Sequence, residues 1–328
     1  MEKQDISMDF FHNFMKIRAV LTAAELDLFT QLHKNASSAK VLSDKNDLDP
    51  RATTRLLDSL VTMDLLEKQE KAYSVTEEGA RLSSEHPETQ LPMILHLNGL
   101  WDTWTNLTET IRKGENQNRD DAIHRDNDRQ KAFIGAMHVI GLGLAAEIAD
   151  AWDLDPYSKL LDIGGGSGTY TIAILNKNPT MTAILFDLED VLPLAEERLK
   201  HEGYIDRVTL QSGDLNADRF PEGCDLALLS AIIHMNSPEQ NFDLYKRIHQ
   251  ALKPGGVLLI RDHIMDESRT HPPAGTFFAL NMLVNTQGGD TYTFREVEKL
   301  LKDCGFVEIK LSRKGEKMDC LVEARKED

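Results

Sequence analysis

The stretch Leu160-Leu161-Asp162-Ile163-Gly164-Gly165-Gly166-Ser167-Gly168 decides the fold. A short apolar strand runs into a glycine-rich turn, and a helix-compatible run, Tyr170 to Leu175, follows at once. Glycines at such a turn let the backbone approach a ligand closely, with the helix N-terminus aimed at it. The spacing here is D-x-G-x-G-x-G. A dinucleotide fingerprint, G-x-G-x-x-G, would need glycine where Thr169 stands.

Four features follow in register. Phe186-Asp187-Leu188 closes a second strand, Thr182 to Phe186. An acidic side chain about twenty residues past the glycine turn can accept hydrogen bonds from both hydroxyls of a ribose. Asp187 could instead cap the helix that begins near Asp190. Ser212-Gly213-Asp214-Leu215 follows the third strand, Val208 to Gln211. Asp214 can take an adenine amino group while Leu215 packs on the ring, and a plain turn is the alternative. Cys224 to Ile233 is a continuous apolar strand, as expected when helices cover both sheet faces, and it ends at His234. Leu252-Lys253-Pro254-Gly255-Gly256 then reads as a helix end and turn before the buried strand Val257 to Ile260. Finally, Phe306 to Leu311 and Met318 to Ala324 read as a terminal hairpin with its polar turn at Ser312 to Lys317.

This pattern resembles the S-adenosylmethionine (SAM) methyltransferases. The resemblance implies an α/β, class I, Rossmann-like fold: a seven-stranded sheet with a C-terminal antiparallel hairpin. It also implies a SAM site, with S-adenosylhomocysteine as product. Asp162, Gly164, Gly165 and Gly166 of the turn would belong to that site. So would Asp187, Leu188, Asp214, Leu215 and Ser230.

Composition limits the partners. A net charge of −17 argues against nucleic acid or an anionic membrane, since phosphate binding needs a basic footprint. No apolar run reads as long enough to span a bilayer, and Met1-Glu2-Lys3-Gln4-Asp5 lacks a signal-peptide start. Cys224, Cys304 and Cys320 are too few and scattered for a disulfide framework or zinc site. A cytoplasmic enzyme is expected.

Ahead of the alternating part lies a helical one. Met8 to Leu32 carries apolar residues at helical spacing, and Ser37-Ser38 can cap a helix through Leu42. Asp49-Pro50 starts another helix, Arg51 to Met63, with Asp49 as N-cap. Leu65 to Lys68 and Ala72 to Thr76 form a hairpin. This is a winged-helix pattern. Through residue 80 it carries ten basic and fourteen acidic side chains, a poor start for DNA contact. Dimer contacts suit it better. A SAM-responsive winged-helix regulator is the non-enzyme alternative.

The whole chain resembles the dimeric small-molecule O-methyltransferases, which include plant caffeate and isoflavone enzymes and bacterial antibiotic and pigment enzymes. The resemblance implies a dimerisation domain (1–90), a helical linker contributing to the acceptor pocket (91–155) and a SAM-binding catalytic domain (156–328). Linker helices are expected over Leu91 to Arg112 and Arg129 to Trp152. The apolar stretch Phe277 to Gly289, with its Met-Leu and Gly-Gly pairs, matches the helix that closes over the acceptor. Phe133, Met137, Asn281, Met282 and Asn285 would then touch the acceptor. For Phe133 and Met137, packing between linker and core is an equal alternative. The stripe of Trp101 and Trp104 reads as core.

The chemistry follows. A phenol has a pKa of about 10, and a histidine, ordinarily near 6.5, can accept its proton as the oxygen attacks. His234 matches the family's general base, although a histidine capping a strand end is the plainer reading. Plant members orient this base with two carboxylates. The first aligns with Asp262, and the second falls at the uncharged Thr291. Met235-Asn236 also replaces the usual acidic or amide residue and tryptophan. No metal is expected: His263 and His271 lack carboxylates at ligand spacing, and Asp262 and Asp266 lack a third ligand. The expected reaction is methyl transfer to a hydroxyl of a small aromatic or polyketide-like metabolite, with nitrogen or carbon as alternative acceptor atoms.

Overall fold

A computed structural model describes residues 8–117 and 127–328, with side chains from 133 onward in the second stretch. The chain divides into two compact units, Met1–Asp102 with Asp126–Val139, and Thr103–Arg125 with Ile140–Asp328.

In the first unit, helices Met8–Glu25 and Leu28–Lys34 are separated at Asp27, whose left-handed backbone (φ 52°) interrupts the helical ladder. Helix Ala39–Asn46 starts where the Ser38 hydroxyl accepts from the Val41 N–H. Helix Pro50–Val61 starts where Asp49 accepts from the Ala52 N–H, with proline in its first turn. Strands Leu66–Gln69 and Ala72–Val75 pair antiparallel, and Ser37–Ser38 joins the latter. Phe29, Leu32, Leu57, Leu60 and Tyr73 fill the core. The first helix differs: Phe10, Phe11, Phe14, Met15 and Ile17 are all exposed.

The main sheet of the second unit has seven strands: β1 (Lys159–Ile163), β2 (Thr182–Asp187), β3 (Val208–Ser212), β4 (Cys224–Ser230), β5 (Leu252–Asp262), β6 (Phe306–Arg313) and β7 (Cys320–Lys326). Their order is β6-β7-β5-β4-β1-β2-β3. The first five run parallel, and the terminal hairpin supplies an antiparallel partner to β5. Both faces are covered. Leu161, Ile163, Ala227 and Leu229 enter one apolar cluster, while Leu160, Leu226 and Leu228 enter the other. This period-two alternation between two buried faces explains the uninterrupted apolar strands.

Several boundaries differ from the sequence reading: the strand expected to run from Cys224 to Ile233 stops at Ser230, where the chain turns before His234. The Pro254-Gly255-Gly256 segment lies inside β5, where register jumps from Cys224–Leu252 to Leu226–Val257. Gly255, at φ +70°, accommodates that irregularity. The expected helix 91–112 is two, Leu91–Thr105 and Leu107–Lys113. Helix Asn127–Ala151 contains a further difference: its stretch Phe133–Ala151 is long and apolar enough to cross a bilayer, by length and composition alone. That corrects the expectation that no run approaches this length. Glycines and alanines keep the stretch apolar despite Glu147 and Asp150. Its Ile148 and Ala149 lie within one of the sheet's two apolar clusters.

Candidate active site

Packing allows no side chain at the start of the glycine turn. A Cβ on Gly164 would lie 2.7 Å from Ile232, and one on Gly165 would lie 2.6 Å from Leu185. At Gly166 nothing lies within 4 Å, so the turn presents open backbone there. Asp162 lies below the turn, fully buried, and accepts a 2.5 Å hydrogen bond from the Thr171 hydroxyl. Burial pushes its carboxyl up to about 6, the Thr171 bond opposing this and the Asp187 charge adding to it. Asp162 therefore ties the strand end to the helix that follows.

Asp187 ends β2. Its carboxylate accepts the N–H of Gly166 and of Leu188, each at 2.7 Å. Helix Leu192–His201 begins at Val191, so Asp187 does not cap it. Burial raises the Asp187 pKa, and the two N–H bonds work against that rise. Each carboxylate oxygen keeps a lone pair beyond its backbone bond. Leu215 lies against Gly164, with Cδ2 3.6 Å from where a Cβ would be. Asp214 is exposed and accepts the Asn216 N–H, so its side chain also shapes the turn. An open glycine edge, a carboxylate with spare acceptor capacity and an apolar side chain beside them fit an adenosine-bearing cofactor.

His234 sits in a short turn just past β4, and the intervening Ala231 has a left-handed backbone (φ 58°). Its N–H bonds the Arg261 carbonyl at 2.8 Å, tying β4's exit to β5. His234 is buried. Its Nδ1 lies 2.9 Å from both carboxylate oxygens of Asp262, which is itself fully buried at the end of β5. Burial alone would raise the Asp262 pKa. The attraction and hydrogen bond of His234, the Arg261 charge and the His263 N–H outweigh it, so the pKa is held low. An ionised Asp262 accepts from Nδ1–H, which leaves Nε2 of His234 with its lone pair.

Helix Pro273–Asn285 passes over this pair. The Phe278 ring meets His234 edge-on at 4.8 Å and lies 5.1 Å from His263. Asn281, Met282 and Asn285 follow Phe278 at helical spacing on the same side. The Asn281 amide oxygen accepts from Trp104 Nε1 at 2.8 Å and from Asn285 Nδ2 at 3.0 Å. Trp104 thus anchors helix Pro273–Asn285. The Gly-Gly pair has a physical reason: a Cβ on Gly289 would lie 2.4 Å from the His234 carbonyl oxygen. Thr291 is buried and bonds the Gly275 carbonyl at 3.4 Å, so no second carboxylate stands there.

Ser230 is also at this edge, accepting from Arg261 Nε at 2.7 Å. The structure thus gathers the turn, Asp187, Leu215, Ser230, His234, Asp262 and Phe278 at one end of the parallel strands, where open α/β sheets bind ligands. Phe133 and Met137 belong to the first unit. Phe133 is partly exposed, with its ring 5.3 Å from His96. Phe278 and Arg261 had no assigned role in the sequence reading. A lone arginine interrupting the apolar run Val257 to Ile260 just before Asp262 was the available signal. Among the described residues, no group of three or more histidine, cysteine, aspartate or glutamate side chains could hold a metal.

A model of the O-methyltransferase domain matches residues 104–307, and one of the O-methyltransferase dimerisation domain matches residues 8–84. The chain belongs to the O-methyltransferase family. It is a SAM-dependent methyltransferase of the class I fold. A similar protein, the tetracenomycin polyketide synthesis 8-O-methyl transferase TcmO of Streptomyces glaucescens, is 30% identical over 90% of this chain and 89% of its own length. Acetylserotonin O-methyltransferase of Gallus gallus is 28% identical, covering 97% and 96%. Among solved structures, the mitomycin 7-O-methyltransferase MmcR is 26% identical with a TM-score of 0.84, covering 97% of this methyltransferase and 96% of that chain.

Proposed function

We propose that this methyltransferase acts on a hydroxyl of a small aromatic or polyketide-like acceptor, with His234 as general base. The observation that carries the reading is the buried His234–Asp262 pair beneath Phe278. When bound, SAM supplies a methyl group already activated as a sulfonium. The glycine turn, Asp187, Leu188, Asp214, Leu215 and Ser230 would hold it. Asp162 acts from below by fixing the turn.

The chain's own part is to align the acceptor and accept its proton. Asp262 holds the imidazole so that Nε2 faces the acceptor hydroxyl. As the proton arrives, the ionised Asp262 stabilises the imidazolium, and burial strengthens that attraction. One carboxylate does this work, since Thr291 is neutral. Phe278, Met282 and the Asn281–Asn285 amides form the acceptor's wall on one side. A relative named for tetracenomycin polyketide synthesis supports an acceptor of that type.

We assign dimerisation to residues 1–90, acceptor lining to 91–155, and donor binding and transfer to 156–328. The dimerisation-domain match and the exposed Phe10, Phe11, Phe14, Met15 and Ile17 support a homodimer. Three free cysteines support a reducing, cytoplasmic setting. The test is a methyl-transfer assay with labelled SAM over a panel of phenols, hydroxyquinones, amines and carbon acids. Mass spectrometry and NMR would locate the methyl group. Oxygen-linked product is expected, and transfer confined to nitrogen or carbon would overturn the hydroxyl reading.

A further inference from the structure

Arg261 is 4% exposed, and no other lysine or arginine among the described residues is so buried. A guanidinium taken out of water ordinarily comes with an anion. Arg261 has none: no carboxylate of the described residues lies within ion-pair distance. Its neighbour Asp262 projects to the opposite face of β5 and is engaged with His234. The partners Arg261 does have are neutral. Nε donates to the Ser230 hydroxyl at 2.7 Å, and Nη1 donates to the Met318 carbonyl at 2.6 Å. The guanidinium stands 4.8 Å from the centroid of the Tyr170 ring. Nη2 makes no hydrogen bond to any described residue.

A second group is also unspent. The Tyr170 hydroxyl is buried beside the Ser230 hydroxyl and makes no hydrogen bond of ordinary geometry. Burial raises its pKa, so it stays an O–H donor. Tyr170 lies in the first turn of helix Thr169–Lys177, directly after the glycine turn. Ser230 and Arg261 are register partners at the carboxyl ends of β4 and β5. Donor groups from three elements therefore converge beside the glycine turn, with no anion to receive them.

Sheet order says which part of the donor reaches them. Asp187 and Leu215 put the adenosine end over β2 and β3, on one side of β1. Strands β4 and β5 lie on the other side of β1. A ligand crossing the glycine turn from adenosine outward brings its amino-acid end toward Ser230 and Arg261. We propose that Arg261, with Ser230 and Tyr170, binds the carboxylate of the methyl donor's amino-acid end. This rests on the donor site of the preceding section and adds the residue that neutralises the donor's one anionic group.

Calorimetry separates this role from that of a pin between strand ends. The probes are S-adenosylhomocysteine and its decarboxylated analogue, which carries hydrogen in place of the carboxylate. The wild type is expected to bind the first about 10- to 100-fold more tightly, the range for a charge-assisted hydrogen bond. Arg261→Met should bring S-adenosylhomocysteine down to the level of the analogue and leave the analogue's affinity unchanged. Arg261→Lys should restore part of the preference. Equal affinity of the wild type for both probes would overturn the proposal, as would equal weakening of both by Arg261→Met. Should Arg261→Met not fold, Tyr170→Phe carries the same comparison: selective loss for the carboxylate-bearing probe supports the role, and uniform loss overturns it. Failure of the wild type to bind either probe would instead remove the donor site itself, and this assignment with it.

Discussion

Replacing Asp162 with asparagine should stabilise the protein at alkaline pH and do almost nothing at acid pH. The carboxyl is fully buried and its pKa is pushed up to about 6 from an ordinary 3.8, burial being the main cause. At 1.36 kcal/mol for each tenfold change in the proton equilibrium, holding it ionised costs about 3 kcal/mol. The sign follows from proton binding. Between the two pKa values the native state keeps the proton and the unfolded state has lost it, so stability falls as pH rises through that window. The whole cost is present above pH of about 6, and it shrinks to under about 1 kcal/mol near pH of about 4. Asparagine keeps an acceptor for the Thr171 hydroxyl and carries no charge. Thermal melting of Asp162→Asn beside wild type should show a gain of roughly 6–12 °C near pH of about 8, taking 2–4 °C per kcal/mol for a unit of this size. The gain should nearly vanish near pH of about 4. A difference that does not change with pH, or a less stable variant at pH of about 8, would refute the account of Asp162 as a buried charge under strain.

Three further outcomes are expected. His234→Ala should lower turnover by about 10²–10⁴-fold with donor affinity unchanged in calorimetry, and Asp262→Asn should act in the same direction but less; near-wild-type turnover would leave the enzyme working by alignment alone. Asp187→Ala should weaken S-adenosylhomocysteine binding by about 1–3 kcal/mol, since two ribose hydroxyls lose their acceptor, and an unchanged dissociation constant would remove Asp187 from the site. Light scattering of the full chain should give twice the 37.0 kDa chain mass, and deletion of the helix carrying Phe10, Phe11, Phe14, Met15 and Ile17 should cause aggregation or dissociation; a monomeric full chain would contradict the dimer.

The parallel sheet, its glycine turn and its terminal hairpin were legible because each rests on local chemistry. Leu160 to Gly168 can be little other than a buried strand entering a tight turn, and Asp49-Pro50 specifies a helix start through its own side chain. The turn's spacing and the position of Asp187 relative to it carried the donor site for the same reason. Contacts made across many residues were not legible. The pairing of His234 with Asp262 was expected only through the family resemblance, because spacing alone does not say that two strand ends 28 residues apart arrive side by side. Phe278 meets His234 only in the folded chain, where Gly289 also packs tightly on the His234 carbonyl. Asp162 read as one more ligand residue of its motif, and only burial beneath the turn made it a tie to Thr171. Sequence marks Arg261 only as a lone charge after the apolar run Val257 to Ile260. Its significance lies in what does not surround it, and one-dimensional spacing carries no information about the absence of a counter-ion.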